Sequence, residues 1–137
     1  MNTFKYIDGS LYCEGVDLSM LEEKYGTPSY VYSKKTIEEN AKAYVNSFTN
    51  TANLACFAVK SLSNLSILKI IKDTGCGFDI VSGGELHRVL SIGAEPKKII
   101  FSGVGKTKNE IQQGINIGIL SFNVESESEL YRIEKIA

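Results

Sequence analysis

Lys60 stands at the end of an apolar, β-prone run, Ala55-Cys56-Phe57-Ala58-Val59-Lys60. A primary amine at the exit of such a run suits covalent chemistry, because it can form a Schiff base with pyridoxal phosphate or with a carbonyl substrate. Burial would lower its pKa from the unperturbed value of about 10.4 and leave a reactive neutral amine. The plainer reading is a polar residue closing a strand. Asp79 lies inside the next apolar run, Gly77-Phe78-Asp79-Ile80-Val81. A carboxylate there is costly unless a cation or donors face it, and Lys60, at the end of the adjacent strand, is the expected cation. Glu85 completes an S-x-x-E pattern with Ser82, which gives it a capping role. His87, the one histidine, follows that cap on a helix and is expected to be exposed. Glu125 ends a later strand run, where helix N-termini also favour acids.

Two phosphate-loop look-alikes fail on spacing. Gly103-Val104-Gly105-Lys106-Thr107 resembles the end of a Walker A loop, but Ile100 stands where its first glycine must be. Gly75-Cys76-Gly77 opens like a dinucleotide fingerprint, but it precedes a strand and Ile80 replaces the last glycine. Composition excludes further classes. Lys plus Arg is 15 and Asp plus Glu is 16, so no basic excess awaits a nucleic acid. No apolar run approaches the roughly 20 residues of a membrane span. Met1 to Tyr12 mixes Lys5, Asp8 and Gly9 with apolar residues, unlike a signal peptide. Cys13, Cys56 and Cys76 have neither CxxC nor zinc spacing, so no metal site is expected; reduced thiols and a cytoplasmic location are.

The elements that must position these residues recur with a period. Candidate strands begin near Leu54, Cys76, Lys98 and Ile119, spaced by 22, 22 and 21 residues. A helical pattern follows each: Leu65, Leu68, Ile70 and Ile71; Leu86, Val89, Leu90 and Ile92; Ile111, Ile115 and Ile117; Leu130, Ile133 and Ile136. Strand then helix, repeated, predicts a parallel sheet. Ser82-Gly83-Gly84-Glu85, Thr107-Lys108-Asn109-Glu110 and Ser126-Glu127-Ser128-Glu129 match the capping box, and Gly75, Gly93 and Gly118 fall where helices should end.

The first 53 residues differ. Gly9 to Glu14 reads as a short strand after a turn, Asp17 as the cap of a helix over 18–25, and Ser29 to Tyr32 as a brief β-like run. Lys35 to Phe48 predicts a long amphipathic helix with Ile37, Ala41, Tyr44, Val45 and Phe48 on one side. The fold class is α/β. Four βα units are half of an eight-fold barrel, and a doubly wound sheet is the alternative the period leaves open. An apolar inner face from Ala55, Phe57, Ile99, Phe101 and Phe122 is expected, as is a chain that stops within its fourth repeat.

The residues around Lys60 resemble a known family. Phe57-Ala58-Val59-Lys60-Ser61-Leu62-Ser63-Asn64-Leu65 is similar to the pyridoxal-phosphate lysine motif of the diaminopimelate and ornithine decarboxylase family, commonly Tyr-Ala-Val-Lys-Ala-Asn-x-Asn. Gly77-Phe78-Asp79-Ile80-Val81-Ser82-Gly83-Gly84-Glu85-Leu86 resembles the D-V-V-S-G-G-E-L segment of the diaminopimelate branch. Pro96 to Gly103, Phe122 to Ser126, Tyr6 to Gly9, Glu14 to Leu18 and Tyr25 to Pro28 look like the same branch.

The resemblance implies a partial (β/α)8 TIM barrel over 35–137 that binds pyridoxal phosphate. It makes 1–34 a segment contributing to a second, β-rich domain. It implies the cofactor on Lys60 as an internal aldimine, Asp79 beside it, Ala58 lining the pocket and Glu85 supporting the lysine region. The implied reaction is loss of CO2 from meso-diaminopimelate to give L-lysine, in a cytoplasmic homodimer. Two other functions stand beside it: a non-catalytic, cofactor-binding or dimerising homologue, and a decarboxylase of another basic amino acid or polyamine precursor. The Ala and Asn that usually follow the lysine are here Ser61 and Leu62. The family's stacking histidine, phosphate loop, pyridine-facing glutamate and substrate-binding groups would lie beyond position 137, so the 137 residues alone are expected to be inactive.

Overall fold

The computed structural model describes residues 3–47 and 50–137. A small antiparallel sheet comes first: β1 (Phe4–Ile7), β2 (Ser10–Cys13) and β3 (Val16–Asp17), in that order. Its turns use left-handed residues, with Asp8-Gly9 and Glu14-Gly15 all at positive φ. The sequence marked only the middle strand; four-residue and two-residue runs are too short to show alternation.

Helix α1 (Leu18–Tyr25) begins at Asp17, whose carboxylate accepts the Ser19 N–H at 2.9 Å. The stretch from Ser29 to Tyr32 is not a strand, and Tyr30 and Tyr32 are exposed there. Aromatic β-propensity has no partner strand to satisfy at that point. Helix α2 spans Lys34–Val45, and Phe48, expected on its apolar side, lies outside the described residues. The two parts are joined through the buried Ser33. Its hydroxyl donates to Glu14 Oε1 at 2.5 Å, and its oxygen accepts the Thr36 N–H at the start of α2.

The second sheet is parallel, with strands in chain order: β4 (Cys56–Ala58), β5 (Gly77–Ile80), β6 (Ile99–Phe101) and β7 (Ser121–Phe122). Helices α3 (Leu65–Asp73), α4 (Gly83–Ser91) and α5 (Lys108–Ile117) connect them, and α6 (Glu127–Glu134) follows. Each strand starts one or two residues later than its apolar run suggested. Gly75, Gly93 and Gly118 take positive φ just past three helix ends, as expected.

The two faces of this sheet are unlike. Phe78, Ile80, Ile99 and Phe101 are sealed against Leu68, Ile71, Leu86 and Val89 of the helices. By strand alternation the other face carries Cys56, Ala58, Gly77, Asp79, Ile100 and Ser121. The expected apolar inner face is therefore corrected: by register Phe57, Ile99, Phe101 and Phe122 belong to the helix layer, and the opposite face, Ile100 apart, is made of small and polar groups. Two helix assignments change as well. Leu65 and Leu130 are exposed, while Ile67 and Glu129 are the buried neighbours on those helices.

Gly77 shows how tightly the small face is built. A Cβ there would lie 2.4 Å from the Lys98 carbonyl oxygen and 2.9 Å from Cys56 Sγ. Backbone cannot withdraw as a side chain can. Gly77→Ala is expected to destabilise the chain by about 3 kcal/mol, the upper range for overpacking. Urea unfolding checks it, and an unchanged midpoint would mean that β5 and the residues before β6 lie further apart.

Candidate functional site

Parallel pairing brings the chemistry-bearing residues to one end of the sheet. Ala58, the last residue of β4, is the register partner of Asp79 on β5, and Asp79 that of Ile100 on β6. Lys60 follows Ala58 by two residues, in a turn of 3-10 helix, Val59–Ser61. Gly103 and Glu125 come just after β6 and β7. All four thus sit at the C-terminal ends of adjacent parallel strands, in chain order, as the period predicts.

The turn that presents Lys60 is fixed on all sides. Val59 is fully buried beneath it. The Ser61 hydroxyl donates to the Ala58 carbonyl at 2.7 Å, and the Leu62 N–H to Val59 O at 3.1 Å. Leu62 packs on the core, and Arg88 of α4 donates to Ser63 O at 3.2 Å. Asn64 then caps α3 through the Ser66 and Ile67 N–H groups. The two departures from the family motif therefore have local work: Ser61 closes the turn and Leu62 anchors it. Lys60 itself is exposed, so the burial expected of its amine is not supplied by these residues.

Asp79 does not take Lys60 as its partner. Its Oδ1 accepts a hydrogen bond from Ser102 Oγ, one residue past β6. Ser102 Oγ in turn accepts from Asn123 Nδ2 at 2.9 Å, one residue past β7. This polar row crosses three strand ends. Cys56 lies near it on the small face. Burial pushes the Cys56 thiol up from its ordinary pKa, with the Asp79 charge adding to the effect, so it stays a neutral neighbour.

Glu85 does not close the reciprocal box. Ser82 Oγ accepts the Glu85 N–H at 3.2 Å, but the Glu85 carboxylate reaches one residue further, to the Val81 N–H at 2.8 Å. Glu129 does the same with the Glu125 N–H. Both caps, Ser82 and Ser126, are fully extended, with φ of −157° and −158°, which turns their own N–H away. Thr107, at φ −77°, completes the box with Glu110. Glu110 also accepts the Gly83 N–H at 2.7 Å, tying α5 to the start of α4.

The sequence did not single out Lys106 as a site residue, yet it is the most enclosed charge in the molecule's described part. Its ammonium donates to Gly103 O at 2.7 Å, Asn123 O at 2.7 Å and Glu129 Oε1 at 3.1 Å, which uses all three protons. The side chains of the pair are 0% and 2% exposed. Burial opposes ionisation of Glu129. The Glu125 N–H and the Lys106 bond and charge outweigh it, and its carboxyl is held below the ordinary range. Ser102 was equally unmarked, though its two-residue offset from Ile100 places it on the face of Asp79.

Known proteins share this fold. Residues 34–137 match the family model described as pyridoxal-dependent decarboxylase, pyridoxal binding domain. The diaminopimelate decarboxylase of Pseudomonas aeruginosa is 48% identical over 137 residues, which is 100% of this chain and 33% of that protein. A crystal structure of an Aquifex aeolicus protein superposes with a TM-score of 0.93 at 42% identity, covering 98% of this chain and 33% of that one. Diaminopimelate decarboxylase of Methanocaldococcus jannaschii, solved with L-lysine, gives 0.90 at 38% identity, over 98% and 32%. The chain thus spans about one third of the length of the curated relatives it matches. The parallel βα units are part of a barrel domain in these relatives, which settles the choice against a doubly wound sheet. No helix among the described residues is long and apolar enough to cross a membrane.

The buried pair yields a test. Lys106→Met strands a buried carboxylate and is expected to cost about 3–5 kcal/mol in urea unfolding. Lys106→Met with Glu129→Leu should recover most of that loss. Because the Glu129 pKa is lowered in the folded state, its contribution is present above the ordinary carboxylate range and disappears as pH falls through the folded value. A double variant as unstable as the single one would contradict the pairing.

Proposed function

The chain belongs to the pyridoxal-binding domain family of the pyridoxal-dependent decarboxylases, and we propose that Lys60 is the cofactor lysine of a diaminopimelate decarboxylase that forms L-lysine and CO2 in the cytoplasm. The observation that carries this reading is an exposed amine on a rigid turn, at the C-terminal ends of parallel βα strands, one strand from a hydrogen-bonded carboxylate. Near-half identity to diaminopimelate decarboxylases over the whole chain supports the substrate. The likeness to a relative solved with L-lysine supports the product.

The residues present fit one side of pyridoxal phosphate. Lys60 offers a primary amine for its carbonyl carbon. Ala58, the register partner of Asp79 two residues before Lys60, leaves only a methyl group on that face, and a bulkier side chain in its place would take the room of a flat ring. When bound, the cofactor supplies an electron sink for the carbon that loses CO2. Asp79 supplies negative charge beside that ring, held in place by Ser102. Glu85 supports the site from below by fixing the Val81 N–H at the end of β5. We assign residues 1–34 to a second, β-rich domain and the active assembly to a homodimer, on the strength of the family pattern.

Lys60→Ala, in the protein carrying the complete family length, is expected to abolish both decarboxylation of meso-diaminopimelate and the borohydride-reducible cofactor adduct. Retention of an adduct on another lysine would overturn the assignment. The 137 residues alone hold one wall of the site, and steady CO2 release from them would contradict the need for the rest.

A further inference from the structure

Asp79 and Lys60 are close enough in register to pair, and they do not. Ala58 and Asp79 are direct partners on neighbouring strands, spaced by about 4.8 Å as parallel strands are, and Lys60 follows Ala58 by two residues. A lysine arm spans that gap. Among the described residues Lys60 nevertheless enters no ion pair, and the Asp79 carboxylate is bonded on the β6 side instead.

The direction of that bond is fixed by chemistry. A carboxylate only accepts, so the Ser102 hydroxyl must spend its one proton on Asp79. Ser102 can then only accept from Asn123, whose amide NH2 faces it at 2.9 Å. Asn123 is itself clamped at both peptide groups: its N–H donates to Phe101 O at 2.9 Å, and its carbonyl accepts from the buried Lys106 at 2.7 Å. The row Asn123 to Ser102 to Asp79 is therefore anchored on the buried Lys106 of the loop after β6 and ends on the carboxylate beside Lys60.

We propose that Ser102 and Asn123 are positioning residues that hold the Asp79 carboxylate off the Lys60 ammonium, so that the amine stays unpaired and available to a carbonyl group. This rests on Lys60 being the cofactor lysine. The other charged or titratable groups around these two are accounted for: Cys56 is a neutral thiol on β4, Glu85 is bonded to Val81, and Arg88 reaches Ser63. Without the Ser102 hydroxyl, Asp79 is free to turn toward Lys60 and pair with it.

Competitive acetylation with trace acetic anhydride, read lysine by lysine by peptide mass, measures this without any cofactor. Lys106 is an internal control, since its side chain is fully enclosed and labels only if the fold opens. In Ser102→Ala, Lys60 should label about threefold more slowly than in the unaltered chain, the scale of a partly exposed ion pair. The deficit should shrink in molar salt. Ser102→Thr, which keeps the hydroxyl, should label like the unaltered chain. Ser102→Ala with Asp79→Asn should restore the rate. Equal Lys60 labelling in the unaltered chain and Ser102→Ala, with Lys106 protected in both, would overturn the proposal. So would slowing that persists in the double variant. Should Ser102→Ala expose Lys106, Asn123→Ala replaces it: slower Lys60 labelling supports the proposal and unchanged labelling overturns it. A failure of the cofactor assignment would show separately, as absence of a pyridoxal phosphate adduct on Lys60 in a chain whose acetylation pattern is as described.

Discussion

Lys106 places a positive charge where no solvent reaches it, and that charge must be balanced by groups from three separate segments. Its three protons go to the loop after β6, the loop after β7 and helix α6. A buried ammonium leaves little freedom in such a choice, because each unmet proton would carry a desolvation cost. The loops at the C-terminal end of the sheet are thereby locked to one another. Asn123 is held by this charge, Ser102 by Asn123, and Asp79 by Ser102. The same end of the sheet carries Lys60 on a turn anchored by Val59 and Leu62. The stiffness of this end of the sheet comes from packing on one side and from a satisfied polar network on the other.

The division of labour between the two sheet faces follows from the same logic. The helix-side face buries large apolar groups and supplies the stability. The other face can then afford small residues, because it is not required to fill a core against the helices. Gly77, with the Lys98 carbonyl pressed where a side chain would be, marks the tightest point of that face. Small residues at Cys56 and Ala58 and a lone carboxylate at Asp79 leave room and charge in one place. Such a face is ill suited to stability and well suited to holding a flat, polar group.

Much of this was legible in the residues themselves. The 22-residue period, three serine or threonine caps and three helix-ending glycines define βα units by local chemistry alone, and Lys60 and Asp79 follow from their places in that period. What sequence could not show are the relations that only packing creates. Ile99 and Phe101 alternate no differently from inward-facing residues, so their face is set by the crossover, not by pattern. Lys106 sits in a glycine-rich loop that looks like a failed phosphate site, and burial of a lysine leaves no mark in a single chain. Asp79 was expected to seek the nearest cation. A serine two residues beyond Ile100 satisfies it instead, and a hydroxyl is too common in loops to signal this.

The central claim is that Lys60 carries the cofactor while Asp79 is kept to the β6 side by Ser102. Crystals of the protein grown with pyridoxal phosphate test it most directly. The account predicts continuous density from Lys60 Nζ into the cofactor, with Asp79 Oδ1 still bonded to Ser102 Oγ and Asn123 Nδ2 behind it. Density joined to a different lysine, or an Asp79 carboxylate turned away from Ser102 onto Lys60 Nζ, would contradict it.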